Sequence, residues 1–344
     1  MPITYAQGAP NSAIETAVIE NGMGVAEGFL LAQLAQTGSF LVDPSLPASG
    51  SLFVRDRKAL LKRGGAGGKS LPTARAIEDR TPLLSAPFAL KQYDNVAQWP
   101  LSFLASNNDE TYMAIEAAAG MWRDLEFDVC KLFLSHADND PAAGGWLESD
   151  WVAELGGALI GSSDSTMDTL HAAYKLQKVA GGVNPNTLIV GGGVAEALRS
   201  DPQVLQRIVT KSAAAGQDAN GIAMIGGNAV MSIDHVKAVM SEHLGLNVLV
   251  ADGMRQDAGT NAYIADDAMW LGYAGTATVS GSGGQRVVGA RGGAFVGLFQ
   301  ELGASVIGED PSVKPQYVQA VSESIGTVAI LAPAEGRLIK NVMA

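Results

Sequence analysis

The chain lacks most of what marks an enzyme, a secreted protein or a membrane protein. It has one cysteine, Cys130, so no disulfide can close within it, and folding in an intracellular compartment is expected. No Lys or Arg precedes Arg55, so the basic start of a secretory signal peptide is missing and none is expected. No stretch approaches the ~20 apolar residues of a membrane-spanning helix. The longest candidate, Phe29-Leu30-Leu31-Ala32-Gln33-Leu34-Ala35, is short and broken by Gln33. Aromatic residues make up 6% of the chain.

Histidine is equally scarce. His136, His171, His235 and His243 have no partner at zinc-ligand spacing, and one cysteine cannot build a thiolate site. His235 and His243 lie about two helical turns apart, too far to share an ion. Asp138-Asn139-Asp140 begins like a calcium loop but lacks the glycine and acidic position that should follow. No G-x-S-x-G nucleophile elbow occurs, and Asp266-Asp267 reads as a turn or a solvated strand end. No metal, cofactor or catalytic residue is expected, and the chain reads as a non-enzyme.

Two glycine-rich stretches need a closer test. Residues 62–70, KRGGAGGKS, end like a phosphate-binding loop. The pattern requires glycine at position 63, which is Arg63, and Pro72 disfavours the helix that should follow. A flexible basic loop tip accounts for the stretch. Gly191-Gly192-Gly193 follows an apolar run and precedes a helical one, as a dinucleotide site does, but position 196 of the fingerprint is Glu196. A tight strand-to-helix turn is the expected reading.

What is present is glycine, at 41 of 344 residues, and an uneven distribution of charge. The net charge is −12, yet residues 51–80 hold eight basic and three acidic side chains, leaving −17 on the remainder. A basic segment on an acidic body suits a nucleic-acid contact, or an arm that rests on the acidic surface of an identical neighbour. The second reading needs no further partner.

Periodicity supplies the framework. Residues 1–38 are alanine-rich and weakly helical, at Glu15–Val18 and Glu27–Ala35. Strands are expected at Phe40–Val42, Leu52–Val54 and Ala86–Tyr93, with the basic stretch between the last two as the tip of a projecting hairpin. Residues 108–135 carry apolar side chains at Ile115, Ala119, Trp122, Leu125, Val129 and Leu132, which predicts one long helix. A second helix is expected over Ser165–Val179, closed by Gly181-Gly182, and another over 232–244. Strands are expected at Thr187–Val190, Asn247–Ala251, Tyr263–Leu271, Val318–Val321, Thr327–Leu331 and Arg337–Val342.

The order of these parts resembles the major capsid proteins of tailed bacteriophages, of the Hong Kong 97 type. Ser51-Leu52-Phe53-Val54-Arg55-Asp56-Arg57 and Tyr93-Asp94 look like the strands of that family's extended loop, and Asp109 through Leu134 like its spine helix. Asn184-Pro185-Asn186-Thr187-Leu188-Ile189-Val190, Val194–Leu198, Asp201-Pro202 and His243-Leu244-Gly245-Leu246-Asn247-Val248 are similar to its axial domain. Ala332-Pro333-Ala334-Glu335-Gly336-Arg337-Leu338-Ile339 looks like its C-terminal strand.

The resemblance implies an α+β fold with an N-terminal arm (1–38), an extended β-hairpin loop (39–93), a peripheral domain with the spine helix (94–180), an α/β axial domain (181–290) and a return to the peripheral domain (291–344). It implies self-assembly into hexamers and pentamers of an icosahedral virion shell around double-stranded DNA, formed in the host bacterial cytoplasm with a separate scaffold, a portal and in some cases decoration proteins. Sequence-specific DNA binding is not implied. Arg55, Arg57, Lys58, Lys62, Arg63, Lys69 and Arg75 would then carry the extended loop's contact with a neighbouring subunit. Some members cross-link a loop lysine to a C-terminal asparagine, for which Lys62, Lys69 and Asn341 are available. An encapsulin-like nanocompartment shell is the alternative, followed by a soluble nucleotide-binding α/β enzyme.

Overall fold

The computed structural model describes residues 29–36, 40–42, 49–55, 83–89, 91–100, 110–161, 165–206, 232–257, 260–274, 278–280, 285–289, 294–298, 306–310 and 317–343. Its longest helix, α2 (Glu110–Leu134), is the one that periodicity predicts. At 1.5 Å per residue it runs roughly 38 Å. Its buried side chains, Met121, Trp122, Leu125, Val129, Cys130, Phe133 and Leu134, recur at intervals of three or four and form one apolar stripe. Burial of side chains of this size contributes about 1.5–3 kcal/mol each.

Around α2 the chain builds two principal sheets. In the first, β6 (Thr187–Gly191) and β7 (Asn247–Ala251) pair in parallel, and the strand order is β5-β16-β10-β6-β7. The other members are β5 (Leu147–Asp150), β10 (Met269–Gly272) and β16 (Gly336–Lys340). β6 is buried at every position, which explains its unbroken apolar reading, Thr-Leu-Ile-Val-Gly. Helices α3 (Thr166–Gly181), α4 (Gly192–Leu198) and α5 (Ile233–Leu244) accompany this sheet. The ends of α3 and α5 follow the sequence, since Gly182 and Gly245 adopt φ of 68° and 66° at their C-caps, where a side chain would be strained.

The second sheet is organised by β15 (Tyr317–Ile330), one 14-residue strand where two shorter ones were expected. Gly326 sits inside it, and pairing on both sides carries the chain straight through that position. β4 (Lys91–Pro100) pairs with Tyr317–Gly326, and β13 (Ala294–Leu298) with Gly326–Ile330. β14 (Val306–Asp310) pairs with Tyr317–Val321, and β1 (Phe40–Val42) joins β13 in parallel.

Two further expectations are corrected. The strand expected over Ala86–Tyr93 is two, β3 (Leu83–Ala89) and β4. The strand expected over Tyr263–Leu271 is also two, because residues 264–268 turn between β9 (Thr260–Tyr263) and β10; β9 pairs instead with β8 (Met254–Asp257). The two strands of the expected hairpin do pair, and they have company within the chain. β2 (Ser49–Arg55) pairs antiparallel with β3, and also in parallel with β12 (Gln285–Gly289), which pairs with β11 (Thr278–Ser280). A four-stranded sheet from one chain supplies the support that an isolated hairpin lacks.

The few aromatics are concentrated. Phe133, Trp146 and Trp270 form a triad with ring centroids 5.0–6.0 Å apart, in one stacked and two edge-on contacts. Trp146 also donates its indole N–H to the Leu132 carbonyl at 2.7 Å, tying the segment after α2 back to that helix. α1 (Leu30–Gln36) packs on the same core through Phe29, Leu30, Leu31 and Leu34. A second cluster, with Trp151, Met167, Leu170 and Met240, lies on the other side of the first sheet, where Leu188 and Val190 point; Ile189 points into the core with α2.

Candidate functional site

The basic residues of the expected contact loop start where β2 ends. Arg55 is the last residue of that strand and stands opposite Leu83, the first of β3. Residues 56–82 therefore leave and re-enter the sheet at one end of a ladder. Arg57, Lys58, Lys62, Arg63, Lys69 and Arg75 belong to this excursion and lie outside the described residues, as does the stretch 62–70. The helical reading of Glu15–Val18 lies outside them too.

The glycine triplet at the β6–α4 junction is in plain view. A phosphate site there would need free backbone N–H groups at the helix start. Three of them are already used: Gly191 N–H donates to the Ala268 carbonyl at 3.0 Å, Gly192 to Ala265 at 2.9 Å and Val194 to Asp266 at 3.1 Å. The glycines admit the 263–268 turn at close range. A Cβ on Gly192 would fall inside the Tyr263 ring, and one on Gly191 would sit 2.7 Å from the Asp266 carbonyl oxygen. The triplet is a packing device between the helix and the turn that follows β9, as the failed fingerprint at Glu196 indicates.

Sequence reasoning missed the polar centre at the mid-length of α2. Glu126 is fully buried. Its Oε1 accepts the Leu30 N–H at 2.7 Å and its Oε2 the Leu31 N–H at 2.9 Å, two donors at the start of α1 that have no partner within the helix. The Cys130 thiol donates to Oε1 at 3.3 Å. Desolvation raises the carboxyl from 4.5 to about 7, against the lowering pull of the Leu31 and Leu30 amides and the thiol. Burial chiefly, then the Glu126 charge, pushes the Cys130 thiol up, so it is no thiolate nucleophile. A signal existed: Glu126 lies four residues from both Trp122 and Cys130, on the apolar stripe itself.

Turns at the periphery are closed by shared side chains. Buried Asp201 accepts the Thr166 hydroxyl at 2.6 Å, the Gly161 N–H at 3.2 Å, and the N–H groups of Gln203 and Val204 at 3.1 Å each. It caps the helical turn over 202–206 and secures the start of α3, where Gln203 in turn accepts the Met167 N–H at 2.5 Å. Asn139 accepts the Trp146 N–H at 2.7 Å and donates to Glu148 at 2.8 Å, so the run that resembled a calcium loop is a closed turn. Asn341 has φ 57° and donates to Asp150 at 2.5 Å. Lys62 and Lys69 lie outside the described residues.

A cleft of about 380 Å³ opens between the C-terminal half of α2, β15 and residues 138–145. Its two lysines are paired with carboxylates, Lys91 with Asp128 at 2.8 Å and Lys131 with Asp138 at 3.4 Å, and its third carboxylate, Asp140, accepts the Ala142 N–H at 2.9 Å. No cluster of His, Cys, Asp and Glu able to hold a metal ion occurs among the described residues, and no helix among them is long and apolar enough to cross a membrane.

No family model and no curated protein matches the chain. Solved structures do. A phage-related protein from Bordetella bronchiseptica superposes with a TM-score of 0.56 at 15% identity, covering 97% of both chains. A virus-like particle from Pyrococcus furiosus follows at TM-score 0.51 and 12% identity, covering 96% of this chain and 98% of that one. The capsid protein of an empty GTA particle aligns over 91% and 90% at 17% identity, with a TM-score of 0.48. At such identities the likeness is one of fold: the chain is a mixed α+β protein that shares its fold with a phage-related protein and a virus-like particle, neighbours of the kind that the order of its sequence motifs led one to expect.

Proposed function

We propose that this chain is a major capsid protein that self-assembles through hexamers and pentamers into an icosahedral shell around phage double-stranded DNA. The observation that carries the reading is a fold shared over nearly the whole length of both chains with a phage-related protein. In this reading, 1–38 is the N-terminal arm, 39–93 the extended loop, 94–180 the peripheral domain, 181–290 the axial domain, and 291–344 the return to the peripheral domain. Arg55, Arg57, Lys58, Lys62, Arg63, Lys69 and Arg75 contact the acidic body of a neighbouring subunit. The working partners are further copies of the chain, a separate scaffold and a portal, with decoration proteins as in some members of the family. The shell assembles in the host cytoplasm and has no catalytic role. Its acidic body also limits adhesion to the packaged DNA.

A nanocompartment shell is the second reading, favoured by the likeness to a virus-like particle. The nucleotide-binding enzyme is disfavoured because the Gly191, Gly192 and Val194 amides are spent on the chain's own carbonyls.

Negative-stain microscopy of the protein, expressed alone and with the neighbouring genes, tests the proposal. Closed polyhedral shells, tubes or capsomer rings are the expected outcome, and DNA-filled particles from the native source separate a capsid from a nanocompartment. A monomer under every condition overturns both shell readings.

A further inference from the structure

Glu126 is unusual in how its charge is met. It is 0% exposed, and its partners are two backbone amides and a thiol, with no cation among them. α1 carries no titratable side chain: its sequence is Leu-Leu-Ala-Gln-Leu-Ala-Gln. From the turn after β7, Gly253 faces the Glu126 side chain, with exposed Asp252 beside it. From α5, Lys237 ends on Gln33 at 3.3 Å. On α2 itself, Cys130 is the titratable neighbour in contact.

The two amides belong to α1, so the element that shields the carboxylate is the element it holds. Undocking α1 would remove Leu30 and Leu31 from the carboxylate and admit water to it. A buried carboxylate with no cation beside it favours its neutral form, here even against the pull of the two amides and the thiol, whereas a hydrated one favours the anion.

We infer that docking of α1 onto α2 is coupled to uptake of one proton by Glu126, making α1 a latch that tightens in mild acid and loosens toward neutrality. The direction follows from linkage. The carboxyl titrates near 7 when docked, against an ordinary value of 4.5. The docked state therefore holds the proton more tightly. Its advantage is complete below about 4.5, declines through the interval up to about 7, and is absent above it.

Release of the latch has a second consequence. β7 ends the first sheet's strand order, and Gln33 of α1 occupies the Val250 N–H and carbonyl on that strand. As α1 leaves, these groups open to solvent or to another strand. The inference concerns this chain's own arm and stands whether or not the shell reading holds.

The test is amide hydrogen exchange on the purified full-length chain between pH 4.5 and 8, corrected for the intrinsic pH dependence of exchange. Protection over residues 29–36 is compared with that of α5 as internal control. The expected result is a fall of up to about tenfold per pH unit across the window, levelling off above 7, with the slope absent in Glu126→Gln. A flat wild-type profile, or an unchanged slope in Glu126→Gln, overturns the inference. If the variant does not fold, carbon-13 spectra of the glutamate-labelled wild type decide. A carboxyl titrating near neutrality in step with the loss of protection supports the latch, and ionisation of every glutamate by pH 5.5 overturns it.

Discussion

Gln33 pairs with Val250 as a neighbouring strand would: its Nε2 donates to the Val250 carbonyl at 2.6 Å and its Oε1 accepts the Val250 N–H at 3.1 Å. One side chain thus meets both backbone groups of a residue in an outer strand and fixes α1 beside it. Gln33→Leu would keep much of the volume and leave both Val250 groups unpaired. Each such group costs about 1–3 kcal/mol when it stays buried. Since the site is half-buried and water can reach in part, a loss near the lower end is expected, about 1–2 kcal/mol. Chemical denaturation of Gln33→Leu against wild type measures it. No change in midpoint would mean that water replaces the amide at no cost.

The glycine triplet offers a graded comparison. Gly192→Ala drives a methyl group into the Tyr263 ring, which is held between β9 and the following turn. A shift of ring or backbone is needed, and overpacking of this kind costs about 1–3 kcal/mol. Gly193→Ala meets the Asp266 carboxylate instead, the end of an exposed side chain that can rotate away, so its cost should be smaller. Tyr263→Ala placed on Gly192→Ala should recover part of the loss, because it removes the clashing ring. Thermal unfolding of the three variants against wild type checks the order, and equal losses at positions 192 and 193 would contradict it.

How much of this was legible beforehand depended on the range of the interactions. Elements set by local pattern were readable: the stripe on α2, the glycine stops after α3 and α5, and the unbroken apolar run of β6. Partners distant in sequence were not. β2 pairs in parallel with β12, more than two hundred residues later, and nothing in either segment names the other. The gap expected between Val321 and Thr327 is closed in β15 because pairing on both sides overrides the low strand propensity of Gly326. Glu126 was passed over because a glutamate in a long helix ordinarily faces water. Its role depends on the amides of Leu30 and Leu31, ninety-odd residues earlier. The basic loop was legible only as charge, and 56–82 lies outside the described residues.

Asp201 holds two helix starts with one carboxylate. Asp201→Ala would leave the Thr166 hydroxyl and the amides of Gln203 and Val204 without their acceptor. Loss of a cap costs about 0.5–2 kcal/mol, and the buried hydroxyl adds to it, so about 2–3 kcal/mol is expected. Asp201→Asn keeps one acceptor oxygen and should fall between wild type and Ala. Denaturant midpoints with unchanged slopes would verify the ranking. An Asn variant as damaging as Ala would show that both oxygens are required together.

The final prediction tests the charge division on which the proposed assembly rests. Residues 51–80 carry a net +5 on a chain of −12. Replacing Lys58, Lys62 and Arg63 with Glu changes that segment's charge by six units, to −1. Single exposed ion pairs contribute about 0–1 kcal/mol, so any one of these replacements should pass almost unnoticed, and only the cluster can matter. The triple variant should retain the wild-type circular dichroism and unfolding midpoint, because these residues lie between β2 and β3 and not within them. It should fail to form shells at moderate ionic strength. Raising salt weakens attraction and repulsion alike, so wild-type assembly through these contacts should itself slow as salt rises. Sedimentation of the wild type and the triple variant across a salt series reads both effects. Normal shells from the variant, at every salt concentration, would remove electrostatic docking of the loop from the account of assembly while leaving the fold assignment untouched.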